Sequence, residues 1–199
     1  GCYNIALGAQ SLYLANSGTS NFAAGLCALY NNWGGSNNTA IGCRALANNS
    51  TGPNNFAVGY WTLNSNSTGH NNTALGYAAL YANTTGYYNT AIGSGALGNN
   101  TTGYGNNALG NVALNKNTTG SHNNALGLAA LEGNTTGGYN VAMGWEALKC
   151  NTTGESNTGI GYRTLYLANS GDHNFAAGNK ALYNNWSGCH NTAIGQCAL

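Results

Sequence analysis

The sequence predicts an all-β fold, a parallel β-solenoid of twelve coils in which every coil is one 17-residue unit. The first observation is a glycine that recurs at every seventeenth position without insertion, from Gly8 through Gly110 to Gly195. The second is composition, because 31 glycines and 36 asparagines among 199 residues exclude a helical bundle. The third is that 42% hydrophobic residues and a net charge of +1 oppose disorder. Helical repeats need about 33 residues or more, so one unit is interpreted as one β-coil.

The repeated unit reads G-x-x-N-x-A-[IL]-G-x-x-A-L-x-x-N-[ST]-T when Gly1 is counted as position 1. Glycine at position 1, asparagine at position 4 and leucine at position 12 occur in all twelve units, the last of which is incomplete. Residues 1–199 are therefore interpreted as a single solenoid array. The sequence begins inside the repeat pattern and ends at position 12, so we expect it to be one part of a longer or processed array.

Each position of the coil has an expected role. Glycine at positions 1 and 8 is expected in corners, where the backbone takes a positive φ. The segments between corners are expected to form two or three short strands. Leucine at position 12 is expected inside every coil, and asparagine at positions 4 and 15 suits turns in which its amide stacks on the amide of the next coil.

Two pairs of adjacent apolar positions, 6 with 7 and 11 with 12, do not fit a strand with one solvated face. Neighbouring side chains in a strand point to opposite faces, so one member of each pair should face outward. At position 7 the outward column would form an apolar stripe that includes Ile41, Leu75, Ile92, Leu109 and Met143. We expect a second packing surface there, with a partner chain as the favoured occupant. The alternative is a bend at position 7 that turns both side chains inward.

The few charged residues predict the register of the coils. Stacking in register places residue i beneath residue i+17, which brings Glu132 to Lys149 and Glu146 to Arg163. Two of the four acidic residues would then meet a cation on the adjacent coil. We expect both pairs to be exposed and to contribute little energy.

The string N-T-A-I-G-x-x-A occurs at residues 38–45, 89–96 and 191–198. It resembles the N-S-V-A-I-G-x-x-S repeat in the head of trimeric autotransporter adhesins, and it is similar to T-A-I-G repeats of phage and bacterial fibre proteins. The resemblance covers about eight residues of each unit. It implies a left-handed parallel β-roll, trimeric in assembly, that displays an adhesive or structural rod outside the cell.

Six cysteines show no CxxC pair and no zinc-ligand spacing. Cys27 and Cys43 lie on adjacent coils and are candidates for a disulfide; free thiols are the alternative. Cys2 and Cys189 share position 2 at opposite ends of the array, where head-to-tail stacking of two chains would allow an intermolecular disulfide.

Near the last coils, carboxylate, imidazole and thiol groups at positions 2 and 3 are weak candidates for a metal site. The candidates are Asp172, His173 and His190, beside Glu155 and Cys189. A solvated polar face is the favoured interpretation, so we expect no metal.

Eight N-x-[ST] sequons share position 15 and are candidates for glycosylation in one row along the rod. They are Asn49, Asn66, Asn83, Asn100, Asn117, Asn134, Asn151 and Asn185. The equal alternative is a turn with an asparagine ladder, because glycans about 4.8 Å apart would crowd severely.

Charge and motifs exclude several functions. Only nine residues carry a charge, so neither nucleic acid nor a membrane surface is an expected partner. No Ser/His/Asp arrangement or phosphate-binding motif follows from the spacing, and we expect no enzymatic activity and no cofactor.

The favoured function is an extracellular structural fibre or adhesive rod that self-associates into a homo-oligomer or filament. The alternative is a ligand-binding solenoid, which would bind carbohydrate through exposed Tyr and Trp or ice through threonine columns at positions 16 and 17. Trp33 and Trp186 interrupt the threonine column at position 16.

Overall fold

The computed structural model describes residues 1–15 and 17–199 and confirms the predicted β-solenoid. Twelve parallel strands form one sheet in sequence order, and residue i of each strand pairs with residue i+17 of the next, as Thr39 does with Phe56. Coil 1 is residues 1–17, coil 2 is residues 18–34, and the later coils follow at the same interval. The strands are β1 (Ile5–Leu7), β2 (Phe22–Ala24), β3 (Thr39–Ile41), β4 (Phe56–Val58), β5 (Thr73–Leu75), β6 (Thr90–Ile92), β7 (Asn107–Leu109), β8 (Asn124–Leu126), β9 (Val141–Met143), β10 (Thr158–Ile160), β11 (Phe175–Ala177) and β12 (Thr192–Ile194). The described ranges contain no helix long and apolar enough to cross a membrane.

Each strand occupies positions 5 to 7 and is short because a glycine ends it. Threonine, phenylalanine and isoleucine at positions 5 and 7 favour extended backbone. The glycine at position 8 follows with a φ of 125° at Gly42 and 147° at Gly110, values that side chains of L-residues oppose. The positive φ predicted for position 8 is confirmed.

The return half of the coil is built of turns, so the prediction of two or three strands per coil is wrong for the described residues. In coil 3, Ala45 N–H donates to Gly42 C=O and Asn49 N–H donates to Leu46 C=O, which marks two consecutive turns. Positive φ angles at Arg44 and Leu46, 58° and 51°, fold the chain inward. Backbone hydrogen bonds to the neighbouring coils continue through these turns.

The core of each coil is one leucine thick. Leucine at position 12 lies inside with alanine at positions 6 and 11, and Leu46, Ala40 and Ala45 are fully buried. The prediction for Leu at position 12 is confirmed in coils 2 to 11, whereas Leu12 is half-buried and Leu199 is 81% exposed. The prediction that one of positions 11 and 12 faces outward is wrong. Leu46 has a positive φ, so its neighbour Ala45 does not lie on the opposite face of an extended strand.

Two buried columns of asparagine flank this core, as predicted. At position 15, Asn66 Nδ2 donates to Asn49 Oδ1 at 2.7 Å and to Gly69 C=O at 2.8 Å. At position 4, Asn72 donates its backbone N–H and its Nδ2 to Asn55 Oδ1 at 3.1 and 3.2 Å. Because the side-chain oxygens of Asn49 and Asn55 accept from the next coil, these buried polar groups are satisfied only when the coils stay in register.

Glycine at position 1 has a different role from the one predicted. None of these glycines has a positive φ, so the expectation of a left-handed corner at position 1 is wrong. A Cβ atom at Gly103 would overlap the Asn100 Oδ1 atom and the carbonyl oxygen of Gly120 on the next coil. Glycine is therefore required at position 1 by the close approach of adjacent coils.

Replacement of Gly103 by alanine should lower the free energy of unfolding by about 1–3 kcal/mol, because the backbone of coil 8 cannot move aside without breaking its hydrogen bonds. Gly34→Ala is the matched control, since a Cβ there meets Ser17 Oγ at 3.5 Å and Thr51 Cγ2 at 3.7 Å, which are ordinary contacts. Chemical denaturation should show a change within about 0.5 kcal/mol for the control. Equal effects of the two substitutions would contradict the role of close approach.

The position-15 ladder is interrupted once, and repairing it should stabilise the chain. Asn151 Oδ1 has no hydrogen-bond partner among the described residues, because the next coil carries the buried Ala168 at this position. Ala168→Asn should raise the free energy of unfolding by about 1–2 kcal/mol by supplying the missing donor. Ala96→Asn, at a fully buried alanine outside both ladders, should instead destabilise. A melting temperature that falls for both variants would argue against the ladder as the source of stability.

Candidate interaction surfaces

The outer face of the sheet carries the apolar stripe predicted at position 7. Position 7 is the last residue of each strand and its side chain is exposed or half-buried, so the alternative of a bend that turns it inward is wrong. Leu75, Ile92 and Leu109 are 42%, 37% and 37% exposed, whereas the alanine that precedes each of them is fully buried. Position 5 also points outward, with Phe56 and Phe175 exposed beside the stripe. We call positions 5 and 7 of the twelve strands the outer sheet face.

Charge is segregated away from the outer sheet face. The acidic and basic residues occupy positions 2, 10, 13 and 14, and none occupies position 5 or 7. Near the middle of the face, Leu109, Leu126 and Met143 line a shallow depression of about 370 Å³ together with side chains of position 5. The face therefore combines exposed apolar side chains with neutral polar ones and no ionic group.

Both predicted ion pairs are present and they merge into one cluster. Lys149 Nζ lies 3.5 Å from Glu132 Oε2, and Arg163 Nε lies 2.6 Å from Glu146 Oε2, each across adjacent coils. The pair Lys149–Glu146, at 2.7 Å within one coil, was not predicted. The turn at positions 10 to 12 brings these two residues together, and nothing in their spacing marks a turn of this kind.

The cluster shifts the titration of its members. The hydrogen bond from the Lys149 ammonium, more than any other cause, lowers the pKa of the Glu146 carboxyl below its ordinary value. The same bond raises the pKa of Lys149. Glu146 is buried and holds two cations, so its charged form is the one that the fold stabilises.

Aromatic rings form ladders on adjacent coils. His70, Tyr87 and Tyr104 stack in sequence with centroids 5.0 and 4.9 Å apart and planes within 10° of parallel. Rings stacked in this way cover one another's faces and present their edges to solvent. They offer no open ring face between them on which a sugar could stack, which weakens the carbohydrate hypothesis at this ladder. Their recurrence at i and i+17 is the signal in the sequence that marks them.

The threonine columns at positions 16 and 17 differ in exposure. Thr84 Oγ1 donates to the Thr101 carbonyl at 3.0 Å, and Thr101 Oγ1 donates to the Thr118 carbonyl at 3.0 Å, so position 16 is half-buried and engaged. Position 17 is exposed, as at Thr85 and Thr102. Only the threonine column at position 17 is therefore available to bind ice.

The candidate glycosylation sites lie in the position-15 ladder. Seven of the eight side chains are fully buried: Asn49, Asn66, Asn83, Asn100, Asn117, Asn134 and Asn151. A glycan on any of these nitrogens would displace the hydrogen bonds that hold the ladder, so the structure favours the ladder over glycosylation at these seven. Asn185 is partly exposed and stays a candidate.

All six cysteines are free thiols. Cys27 and Cys43 are half-buried and unbridged, and the Cys27 thiol donates to Gln10 Oε1 at 3.3 Å. Cys2 and Cys189 are exposed at opposite ends of the described array, where the predicted intermolecular disulfide stays a prediction. Burial raises the pKa of the Cys150 thiol.

The weak candidates for a metal site do not assemble into one. His173 and His190 stack with centroids 5.0 Å apart, and Asp172 Oδ1 accepts a hydrogen bond from the Glu155 backbone. Across residues 1–15 and 17–199, no group of three or more His, Cys, Asp or Glu side chains is arranged to hold a metal ion.

The ion-pair cluster should make stability depend on acidity. Because its pKa is lowered on folding, Glu146 stabilises the chain at neutral pH, and this contribution is lost as the pH falls below about 4.5 through the folded pKa. Glu146→Gln should lower the free energy of unfolding by about 1 kcal/mol at pH 7, and the difference from wild type should vanish in acid. Glu155→Gln is the control, because Glu155 is exposed and makes no ion pair with any described residue. A constant difference for Glu146→Gln across this range would contradict the assignment.

No family model matches this chain, and comparison with curated proteins and with solved structures finds no match either. The likeness to trimeric adhesin heads therefore stands as a resemblance in the repeat alone. Function has to be argued from the surfaces described above.

Proposed function

We propose that this chain is an extracellular structural or adhesive rod, without enzymatic activity, that self-associates into a homo-oligomer or filament. The observation that carries the proposal is the outer sheet face, which has an apolar residue at position 7 of every strand and bears no charged residue. Large exposed apolar patches rimmed by polar residues mark interaction sites. The repeated architecture and the adhesin-like repeat agree with a rod displayed outside the cell.

The outer sheet face is large enough to act as an interface. Twelve strands about 4.8 Å apart make a face about 55 Å long. A stripe about 10 Å wide then presents about 500 Å², near the upper end of patches on monomeric proteins. Two copies facing each other would bury about 1,000 Å², which is the lower bound of a specific protein interface.

A second copy of the chain is the occupant that the chemistry favours. The face has no ionic group that would repel its own copy or attract a charged partner. Phe56 and Phe175 protrude from it, and the depression lined by Leu109, Leu126 and Met143 can receive such side chains.

Three aspartates in the apolar stripe should abolish lateral association without unfolding the coils. The test is the triple variant Leu75→Asp, Ile92→Asp and Leu109→Asp, because these side chains are exposed and leave the leucine core untouched. The matched control is Thr85→Asp, Thr102→Asp and Thr119→Asp, which adds the same charge to the same coils at position 17. Sedimentation velocity and electron microscopy should show loss of assembly for the first variant and retention for the second.

A wild-type protein that stays a monodisperse monomer at micromolar concentration, without filaments, would overturn the proposal. The ligand-binding solenoid would then be preferred, because Trp33 and Trp186 are exposed and neither stacks on another described aromatic ring. Their faces are open to sugar rings. Thermal hysteresis would distinguish ice from carbohydrate as the ligand.

A further inference from the structure

Eight of the thirteen tyrosines lie in four pairs whose members are one coil apart and whose rings stack nearly in parallel. Centroid distances are 4.9–5.9 Å and interplanar angles are 4–18°. The pairs are Tyr13 with Tyr30, Tyr60 with Tyr77, Tyr87 with Tyr104, and Tyr166 with Tyr183. We propose that they are sites of oxidative cross-linking, where dityrosine joins adjacent coils under a one-electron oxidant such as a haem peroxidase with hydrogen peroxide.

The chemistry balances with hydrogen peroxide as the oxidant. Each phenol gives one electron to the peroxidase and its hydroxyl proton to solvent, which leaves a phenoxyl radical. The carbons ortho to the two oxygens then join in one carbon–carbon bond, and the hydrogen on each joined carbon moves to the oxygen of its own ring. Two electrons and two protons leave in total, and one hydrogen peroxide takes them up to form two waters.

Stacking supplies the geometry that this coupling needs. Two radicals on separate chains must meet by diffusion, whereas rings held face to face on adjacent coils are partners at a high effective concentration. Tyr87 and Tyr104 are the best placed, at 4.9 Å and 10°. His70 stacks on Tyr87 at 5.0 Å and restrains that ring further.

Exposure alone predicts sites other than the Tyr87–Tyr104 pair, which makes the proposal testable at that pair. Tyr3, Tyr88 and Tyr139 are 88%, 61% and 62% exposed, against 36% for Tyr104. None of the three has a tyrosine stacked in parallel: Tyr88 meets Tyr87 at 74°, and Tyr139 stacks on His122. Oxidation governed by accessibility would therefore favour these three, together with Tyr13 at 62%, over Tyr104. Oxidation governed by stacking would favour the Tyr87–Tyr104 pair.

The experiment treats the purified full chain, at low micromolar concentration, with a haem peroxidase and hydrogen peroxide. Dityrosine fluorescence and mass spectrometry of the digested chain locate the links. The expected result is a Tyr87–Tyr104 link within one chain, at least about tenfold more abundant than any link through Tyr3, Tyr88 or Tyr139. Its yield per chain should not depend on protein concentration.

Tyr104→Phe removes the phenol while preserving a stacked ring, so it should abolish the Tyr87–Tyr104 link and leave the other three pairs unchanged. Tyr139→Phe, at a more exposed tyrosine outside the pairs, should leave that link intact. Tyr77→Phe repeats the test at an independent pair, in case Tyr104→Phe disturbs its coil. Links that follow exposure, or that increase in proportion to protein concentration, would overturn the proposal, and the result does not depend on whether the rod self-associates.

Discussion

Two columns of buried asparagine amides fix the axial register on which every other feature of the rod depends. Asn49 Oδ1 accepts from Asn66 on the next coil, and the same bond recurs up to Asn151. A slip of one coil by a residue against the next would leave amides in both columns without partners inside the core, at a cost of about 1–3 kcal/mol for each group. This cost explains physically why the 17-residue spacing shows no insertion anywhere in the chain.

Because the register is fixed, residues that are 17 apart lie in one column, and the residues of a column share the same environment. Position 12 becomes the core, position 7 an exposed apolar stripe, and positions 2, 3, 9 and 13 carry the stacked rings. A leucine column one side chain thick can be stable because each leucine also packs against alanines and leucines of the coils above and below it. The same repetition keeps charge off the outer sheet face along its whole length.

Contacts between residues i and i+17 could be read from the sequence, because periodicity alone determines them. The Glu132–Lys149 and Glu146–Arg163 pairs, the asparagine ladders and the outward direction of Ile41 follow from that rule. Contacts within one coil could not be read in this way. Leucine and arginine have no intrinsic preference for a positive φ, yet Leu46 and Arg44 adopt one because adjacent coils hold the turns in place. The Lys149–Glu146 contact depends on those turns, and glycine at position 1 serves the close approach of the next coil rather than its own φ.

Ala168 lies in coil 10 and interrupts the position-15 ladder towards both coil 9 and coil 11. The pair Glu146–Arg163 bridges coils 9 and 10. In a linear array each coil is held mainly by its nearest neighbours, so the weakest junction determines where the array opens. Between coils 9 and 10 one of the side-chain hydrogen bonds that recur along the column is therefore missing, and an ion pair with the buried carboxylate of Glu146 spans the same junction. Under tension or bending the array should therefore open first beside coil 10, at a junction whose strength depends on the charge of Glu146 and so on acidity.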